Sequence, residues 1–299
     1  MHIFGETVEK CQICGNSNLF RCFSLGHQPP SDSFVGKEHL HGREVYYPLD
    51  VYFCDECKLL QLGYIVNPEE LFYEGYSYNT KTSGELVRNF SELAEKTIKK
   101  FFLGFDDLVV DIGSNDGTLL EGFFKENIRV LGIEPTGVSR LALERGIPTI
   151  KKFFSKELAA EIIRQYGRAK VITATNVFAH IKDIRLIVAG IRDLLSEEGV
   201  FISESHYLLN LIKDMEYDSI YHEHLRYYSL KPLMKLFEME GMEVFDAERI
   251  TTHGGSLRVY AGKRGAHPIS DNVSSIIRME EESGLYSKET FVEYGKNSQ

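Results

Sequence analysis

Two Cys-x-x-Cys pairs, Cys11 with Cys14 and Cys54 with Cys57, constrain this chain more than any other feature. Each spacing lets one tight turn present two thiolates to a single ion. Two such knuckles, here about 40 residues apart, complete a tetrahedral Zn²⁺ site. A redox role is the minor alternative. That motif usually opens a helix after a strand, and the first pair here precedes any regular pattern. With cysteine at all four positions no ligand position is left for water, so the expected metal is structural. Gly15 can supply a positive-φ turn behind the first pair. Cys22 is left over. Five cysteines in a chain of 299 residues is not a disulfide framework, and the expected compartment is reducing and cytoplasmic.

Around the cysteines lie Pro29-Pro30, Gly36, Gly42 and Pro48, with short alternating stretches at Glu44–Tyr47 and Asp50–Phe53 and a further strand at Leu59–Tyr64. Residues 1–70 therefore read as a small, β-rich, zinc-binding domain, ending near Asn67-Pro68. Residues 70–105 read as helical. A helix from Glu85 to Phe102, capped at Thr82-Ser83, puts apolar residues 86, 87, 90, 94, 98, 101 and 102 on one face.

The period then changes. Leu108-Val-Val-Asp-Ile112 suits a buried parallel strand. Further strands are expected at Arg129–Glu134, Pro148–Ile150, Lys170–Thr175, Val200–Ser203, Glu243–Glu248 and Ser256–Tyr260. Helices fall between them at Thr118–Glu126, Ser155–Tyr166, Ile184–Leu195 and Lys231–Glu240. Such alternation gives an α/β, doubly wound, Rossmann-like sheet. Residues 71–265 are assigned to it, and residues 266–299 to a short C-terminal tail with helical character around Glu280–Glu282.

Charge narrows the partners. Lys plus Arg number 34 against 44 Asp plus Glu, a net charge of −10. Non-specific nucleic-acid binding needs a basic surface, so no nucleic-acid partner is expected. The apolar runs are too short to span a bilayer, so no membrane partner is expected either. A small anionic ligand stays open, because a helix N-terminus or one Arg can hold a phosphate.

The first sheet strand runs into Asp111-Ile-Gly113-Ser114-Asn115-Asp-Gly117. A glycine-rich loop at the carboxyl end of a first strand is where open α/β sheets bind ligands. Glu134, about 20 residues beyond Gly113, ends the second strand, where a carboxylate can accept hydrogen bonds from ribose hydroxyls. The loop is neither G-x-G-x-x-G nor a P-loop. A mere strand-to-helix turn is the alternative. The pattern D-x-G-x-x-x-G with an acidic second strand end resembles motif I of class I S-adenosylmethionine (SAM)-dependent methyltransferases. That resemblance implies SAM as cofactor, with Asp111, Gly113, Ser114, Asn115, Gly117 and Glu134 around it. In the same superfamily, Asn176 of Thr175-Asn-Val-Phe-Ala-His180 would line the SAM. Whether His180 enters the pocket or starts a helix stays open on residues alone.

Tyr217 to Ser229 is dense in polar and aromatic residues, costly to bury without partners. It is not a zincin motif, since Arg226 stands where the second histidine belongs. A solvated loop is the bland alternative. Together, the four cysteines, the Asp111–Gly117 loop, Tyr221-His-Glu-His224 and His253-Gly-Gly-Ser-Leu-Arg258 resemble the sugar C-methyltransferases of deoxysugar biosynthesis, over nearly the whole chain. Those enzymes methylate C3 of a nucleotide-linked 4-keto-deoxysugar. The resemblance implies His224 as general base, Tyr221 and Glu223 as residues that hold the sugar and assist proton movement, and His180 in the pocket. It also implies Tyr76 and Tyr78 over the active site beside SAM. Methyl transfer to oxygen or nitrogen, and a non-catalytic zinc- and SAM-binding module, are the alternatives. Relatives continue into a further α/β domain that helps bind the nucleotide. The 35 or so residues after Arg264 are fewer than such a domain needs, so two expectations stand: a smaller substrate, or a homo- or hetero-oligomeric partner that supplies the missing wall. Arg258 is open to either a phosphate or a carboxylate.

Overall fold

A computed structural model describes residues 5–31, 35–42, 44–72 and 79–298. Strands β1 (Gly5–Thr7), β2 (Leu19–Gln28), β3 (Tyr47–Cys54), β4 (Leu59–Leu62) and β5 (Tyr64–Val66) form the N-terminal module. β2, β3 and β4 pair antiparallel, and β1 pairs with β5. β3 alternates buried Tyr47, Leu49, Val51 and Phe53 with outward residues, as a half-buried strand should. The two stretches expected at 44–47 and 50–53 are therefore one strand starting at Tyr47. β2 has no counterpart among the expected strands. Its ten residues are mostly outward and its register shifts twice against β3, which erases the alternation that marks a strand. β1 precedes the first cysteine pair, so that pair does not open the regular structure.

Helix α1 (Pro68–Leu71) leads to α2 (Gly84–Phe101). Ser83 Oγ accepts from the Leu86 amide, and Leu86, Phe90, Leu93 and Ala94 form the buried stripe. Phe102 does not join it. It takes the left-handed conformation (φ 50°) that ends the helix, and it is 90% exposed.

The main sheet comprises β6 (Leu108–Ile112), β7 (Arg129–Ile133), β8 (Thr149–Ile150), β9 (Ala169–Thr175), β10 (Leu195–His206), β12 (Met242–Ile250) and β13 (Ser256–Lys263), in the order β12-β13-β10-β9-β6-β7-β8. β8, β7, β6, β9 and β10 are parallel, and β13 runs antiparallel to both of its neighbours. Chain order reverses between β6 and β9, the switch point at which such sheets open a crevice. The intervening helices are α3 (Thr118–Lys125), α4 (Ser139–Glu144), α5 (Lys156–Tyr166), α6 (Ile184–Leu194), α7 (Leu208–Lys213) and α8 (Leu230–Met239).

β10 is far longer than the expected Val200–Ser203. Its far end carries buried Glu204, which apolar patterning cannot flag. Arg258 on β13 lies opposite and donates to Glu204 at 2.6 Å, to Glu248 at 2.8 Å and to Asn89 at 3.0 Å. The carboxylate reading of Arg258 is the one the fold realises, inside the sheet rather than toward a ligand.

Two joints tie the N-terminal module to the main sheet. Strand β11 (Arg226–Tyr227), from the far half of the chain, pairs antiparallel with β4 as the fourth strand of the small sheet. Residues 266–299 also fold back. Their helices α9 (Asp271–Glu282) and α10 (Lys288–Asn297) pack on β12 and β2 respectively. Phe291 meets Phe53 at 4.9 Å between ring centres, and Gly295 sits so close to Phe23 that a Cβ there would collide with it. Buried Glu280 accepts from Tyr207 at 2.8 Å and from the Leu230 amide at 2.9 Å, satisfying the start of α8. None of the described helices is long and apolar enough to cross a membrane.

Candidate active site

The crevice at the switch point is a cavity of about 960 Å³. Asp111, Gly113, Ser114, Asn115 and Glu134 line one end; Tyr221, Glu223 and His224 line the other, with Asn176 and His180 among the residues between. One enclosure therefore holds both groups of candidate residues. Its volume is at the upper end of the range for small-molecule sites.

At the loop end, Gly113 (φ 71°) leaves no room for a side chain: a Cβ would approach Val177 to 2.6 Å. The Gly113 and Ser114 amides both donate to the Ile133 carbonyl, which folds the loop across β7. The Glu134 carboxylate accepts from the Asn115 amide at 3.0 Å and from the amide and hydroxyl of Thr136 at 2.9 and 2.7 Å. It is thereby fixed and buried, with acceptor capacity left for a ligand hydroxyl. Asp111 lies under the loop, takes the Thr173 hydroxyl at 2.6 Å, and is pushed up to about 7 by burial. Gly117 does not line the cavity. It caps α3 at φ 78° and faces Ala142 and Ile147. Asp116 supplies the capping acceptor for the Thr118 amide and reaches the Lys81 amide as well. Asn115 Oδ1 accepts from Thr80, which closes the segment before α2 over the loop. Tyr76 and Tyr78 lie outside the described residues.

At the other end, His224 Nδ1 is 2.8 Å from the Ser219 carbonyl, an acceptor only, so Nδ1 carries the proton. Nε2 then holds the lone pair, and the Tyr221 hydroxyl donates to it at 3.1 Å. The His180 ring lies 5.0 Å from that of His224 and stacks on Phe72 at 5.6 Å. Burial, then the nearness of His224 and Arg226, holds His180 well below the usual histidine range, so it is neutral near pH 7. Glu223 is buried, 4.0 Å from His180 Nδ1 and 3.4 Å from the Ser31 hydroxyl that donates to it. His222 points the other way, edge-on to Tyr47 in the small sheet. A turn, closed by the His224 amide donating to the Tyr221 carbonyl at 3.0 Å, sends His222 to packing while Tyr221, Glu223 and His224 line the cavity.

Sequence reasoning missed several lining residues. His206, at the end of β10, meets Glu216 at 2.6 Å, and both line the cavity. Gly254 makes room for that carboxylate, since a Cβ there would collide with it. The available signal was position: residues just past a strand's carboxyl end face the crevice.

The four cysteines converge. Their sulfurs lie within 4.8 Å of one another, with Cys11 to Cys57 at 3.4 Å and Cys14 to Cys54 at 3.5 Å. A tetrahedral Zn²⁺ with Zn–S bonds of about 2.3 Å needs sulfurs roughly 3.8 Å apart, so the set fits. Hydrogen bonds from Cys11 and Cys57 pull the Cys54 thiol down, and the same crowding pushes Cys57 up. This is a protonation conflict that a cation resolves. Cys22 stands apart, pushed up to about 12 by burial.

Fold and site together have the architecture of the class I SAM-dependent methyltransferases, joined to a four-cysteine module that fits a structural zinc. Comparison with known proteins agrees. Residues 78–246 match a methyltransferase domain family, residues 11–72 a zinc binding domain family, and residues 251–299 a C-methyltransferase C-terminal domain family. The chain belongs to this methyltransferase family. It is 34% identical over 280 residues to the C-methyltransferase NovU of Streptomyces niveus, an alignment covering 93% of this chain and 66% of that protein. The chain thus spans just under two thirds of that relative's length. Among solved structures, a SAM-dependent methyltransferase from Clostridium acetobutylicum ATCC 824 aligns at TM-score 0.48 and 14% identity, over 60% of this chain and 92% of that one. Another, from Anabaena variabilis ATCC 29413, aligns at 0.46 and 14%, over 59% and 85%.

Proposed function

We propose that this protein methylates a carbon acid, C3 of a nucleotide-linked 4-keto-deoxysugar, with His224 as general base. The observation that carries the reading is the state of His224. The Ser219 carbonyl accepts a hydrogen bond from Nδ1–H, so Nε2 presents a lone pair inside the cavity that the Asp111–Gly117 loop also lines. Similarity to NovU and to the C-methyltransferase C-terminal family supports carbon as the acceptor.

Asp111, Gly113, Ser114, Asn115, Glu134 and Asn176 would hold SAM, and Tyr76 and Tyr78 are proposed to cover it. Bound there, SAM supplies a methyl group on a sulfonium that departs as a neutral thioether. The chain's own residues manage the proton. A hydrogen next to a ketone is far less acidic than an imidazolium, so the base needs the developing enolate to be stabilised. Taking that proton at Nε2 displaces the Tyr221 hydroxyl, which is then free to donate to the enolate oxygen. His180, neutral and 5.0 Å from His224 between ring centres, can donate there too without competing for the proton. Glu223, close to His180, orients it and binds sugar hydroxyls. The zinc module backs this end of the cavity through the pairing of β4 with β11.

Incubation with SAM and a panel of nucleotide 4-keto-deoxysugars in D₂O, read by mass spectrometry and NMR, tests the proposal. Expected are a C-methylated product and His224-dependent exchange of the C3 proton before methyl transfer. A methyl group found on oxygen or nitrogen, with no C3 exchange, would overturn it.

A further inference from the structure

Of the two residues between Cys11 and Cys14, the first is Gln12, and its contacts run away from the metal knuckle. Its amide N–H donates to the side chain of Gln61 at 2.9 Å on β4, the strand that pairs with β11. Its Nε2 donates to the carbonyls of Leu62 at 3.2 Å and Leu225 at 3.3 Å, and its Oε1 accepts from Arg226 Nη1 at 2.6 Å. Leu225 and Arg226 directly follow His224.

Arg226 extends the link. Only 1% exposed, it lines the cavity and donates to the carbonyls of Ile181 and Lys182 and to the Tyr228 hydroxyl. No carboxylate among the described residues forms an ion pair with it. A buried guanidinium held by neutral acceptors depends on the placement of each of them. The Leu225 amide in turn donates to the Ala179 carbonyl at 3.1 Å. One strut therefore runs from the knuckle through Gln12 to residues 225–226 and on to residues 179–182, touching the neighbours of both His224 and His180.

We propose that Gln12 is a positioning residue: it transmits the rigidity of the cysteine knuckle to the segment carrying His224 and to the turn carrying His180. The zinc module is then part of the catalytic apparatus through this side chain. The kinetic arm of the proposal rests on His224 as base; the exchange arm does not.

The test compares Gln12→Ala and Gln12→Glu in the full chain by zinc content, SAM affinity, amide hydrogen exchange and turnover. Gln12→Ala is expected to keep its zinc and to bind SAM within about twofold of normal. Amide exchange at residues 179–182 and 219–228 should accelerate about tenfold, the scale of one lost buried hydrogen bond, with kcat falling by a similar factor and KM changing little. Gln12→Glu keeps an acceptor for Arg226 and should recover most of the protection and turnover. Unchanged exchange in those two segments overturns the proposal. So does zinc loss with faster exchange throughout β2–β4, which makes Gln12 a residue of the knuckle fold alone. A Gln12→Glu variant as impaired as Gln12→Ala also counts against the Arg226 link. Exchange and zinc content need no substrate, so a protein that methylates no keto sugar can still pass or fail them.

Discussion

The two ends of the cavity are built in different ways. At the loop end the contacts around Glu134 are local to the sheet: β6, its loop, the tip of β7 and Thr136 supply them. At the His224 end the segment has little regular structure of its own. It is held by β4, the first cysteine knuckle and residues 179–182, with contacts reaching 214 positions along the chain. A ligand that serves every member of a broad fold can be held by the fold itself. On the proposed function, a reaction particular to a narrower family is held by parts added to the fold, here the four-cysteine module.

The sharpest way to separate the ends is to remove the proposed base. His224→Ala should lower turnover by about 10²–10⁴-fold, the usual worth of general base catalysis, while SAM affinity stays near normal by calorimetry. A parallel loss of SAM binding would mean that the two ends are not independent. Metal removal comes next. Stripping zinc with a chelator, or Cys54→Ser, should abolish turnover and lower Tm, because structural zinc contributes folding free energy directly. Spectroscopic titration of SAM should then show a weaker effect at the loop end, since no cysteine touches it. Smaller again is Glu134→Gln. Exchanging a charged acceptor for a neutral one should weaken SAM binding roughly tenfold, on the scale of a charge-assisted hydrogen bond, with kcat at saturating SAM nearly unchanged.

The same contrast explains what could be read in advance. Strands β6, β7 and β9 announce themselves as apolar runs, and Gly113 and Glu134 sit at offsets the crevice rule anticipates. The cysteine spacing likewise announces a cluster that the fold does bring together. The Gln12–Arg226 link has no such signal, because its partners are distant in sequence and ordinary in type. β11 is two residues long, defined only by the strand it joins. Arg258 looked available to a ligand because its partner Glu204 lies in a strand end whose burial hydropathy does not suggest. The histidine cluster was legible as unusual chemistry, but which ring faces the cavity depends on the turn at residues 221–224. Helices α9 and α10 read as a tail because their apolar residues are few, and the surface that receives α10, including Phe53 of β3, is far away in sequence.

The smallest expected effect concerns pH, and here the two ends pull in opposite directions. Burial holds His180 and His222 below their ordinary values. The unfolded chain therefore binds their protons more readily, and the stability they contribute is lost as pH falls below about 6.5. Burial pushes Asp111 up from 3.8 to about 7. Its folded form holds a proton that the unfolded chain releases, so its contribution is complete below about 4 and is lost as pH rises to about 7. Glu204, also raised by burial, acts with the same sign. Between about pH 4 and 6.5 the slopes therefore offset one another, each group contributing at most about 1.4 kcal/mol per pH unit, and wild-type stability should vary little there. Asp111→Asn removes the acidic contribution at the loop end and leaves the histidine slope more exposed. Its Tm should rise more steeply than that of the wild type from about pH 5 to 6.5 and exceed the wild-type value at about pH 8, where an ionised Asp111 is buried at a cost. Calorimetric scans at several pH values decide it. Parallel curves for the two proteins would show that Asp111 is not held protonated under the loop, and that its end of the cavity is wetter than its burial indicates.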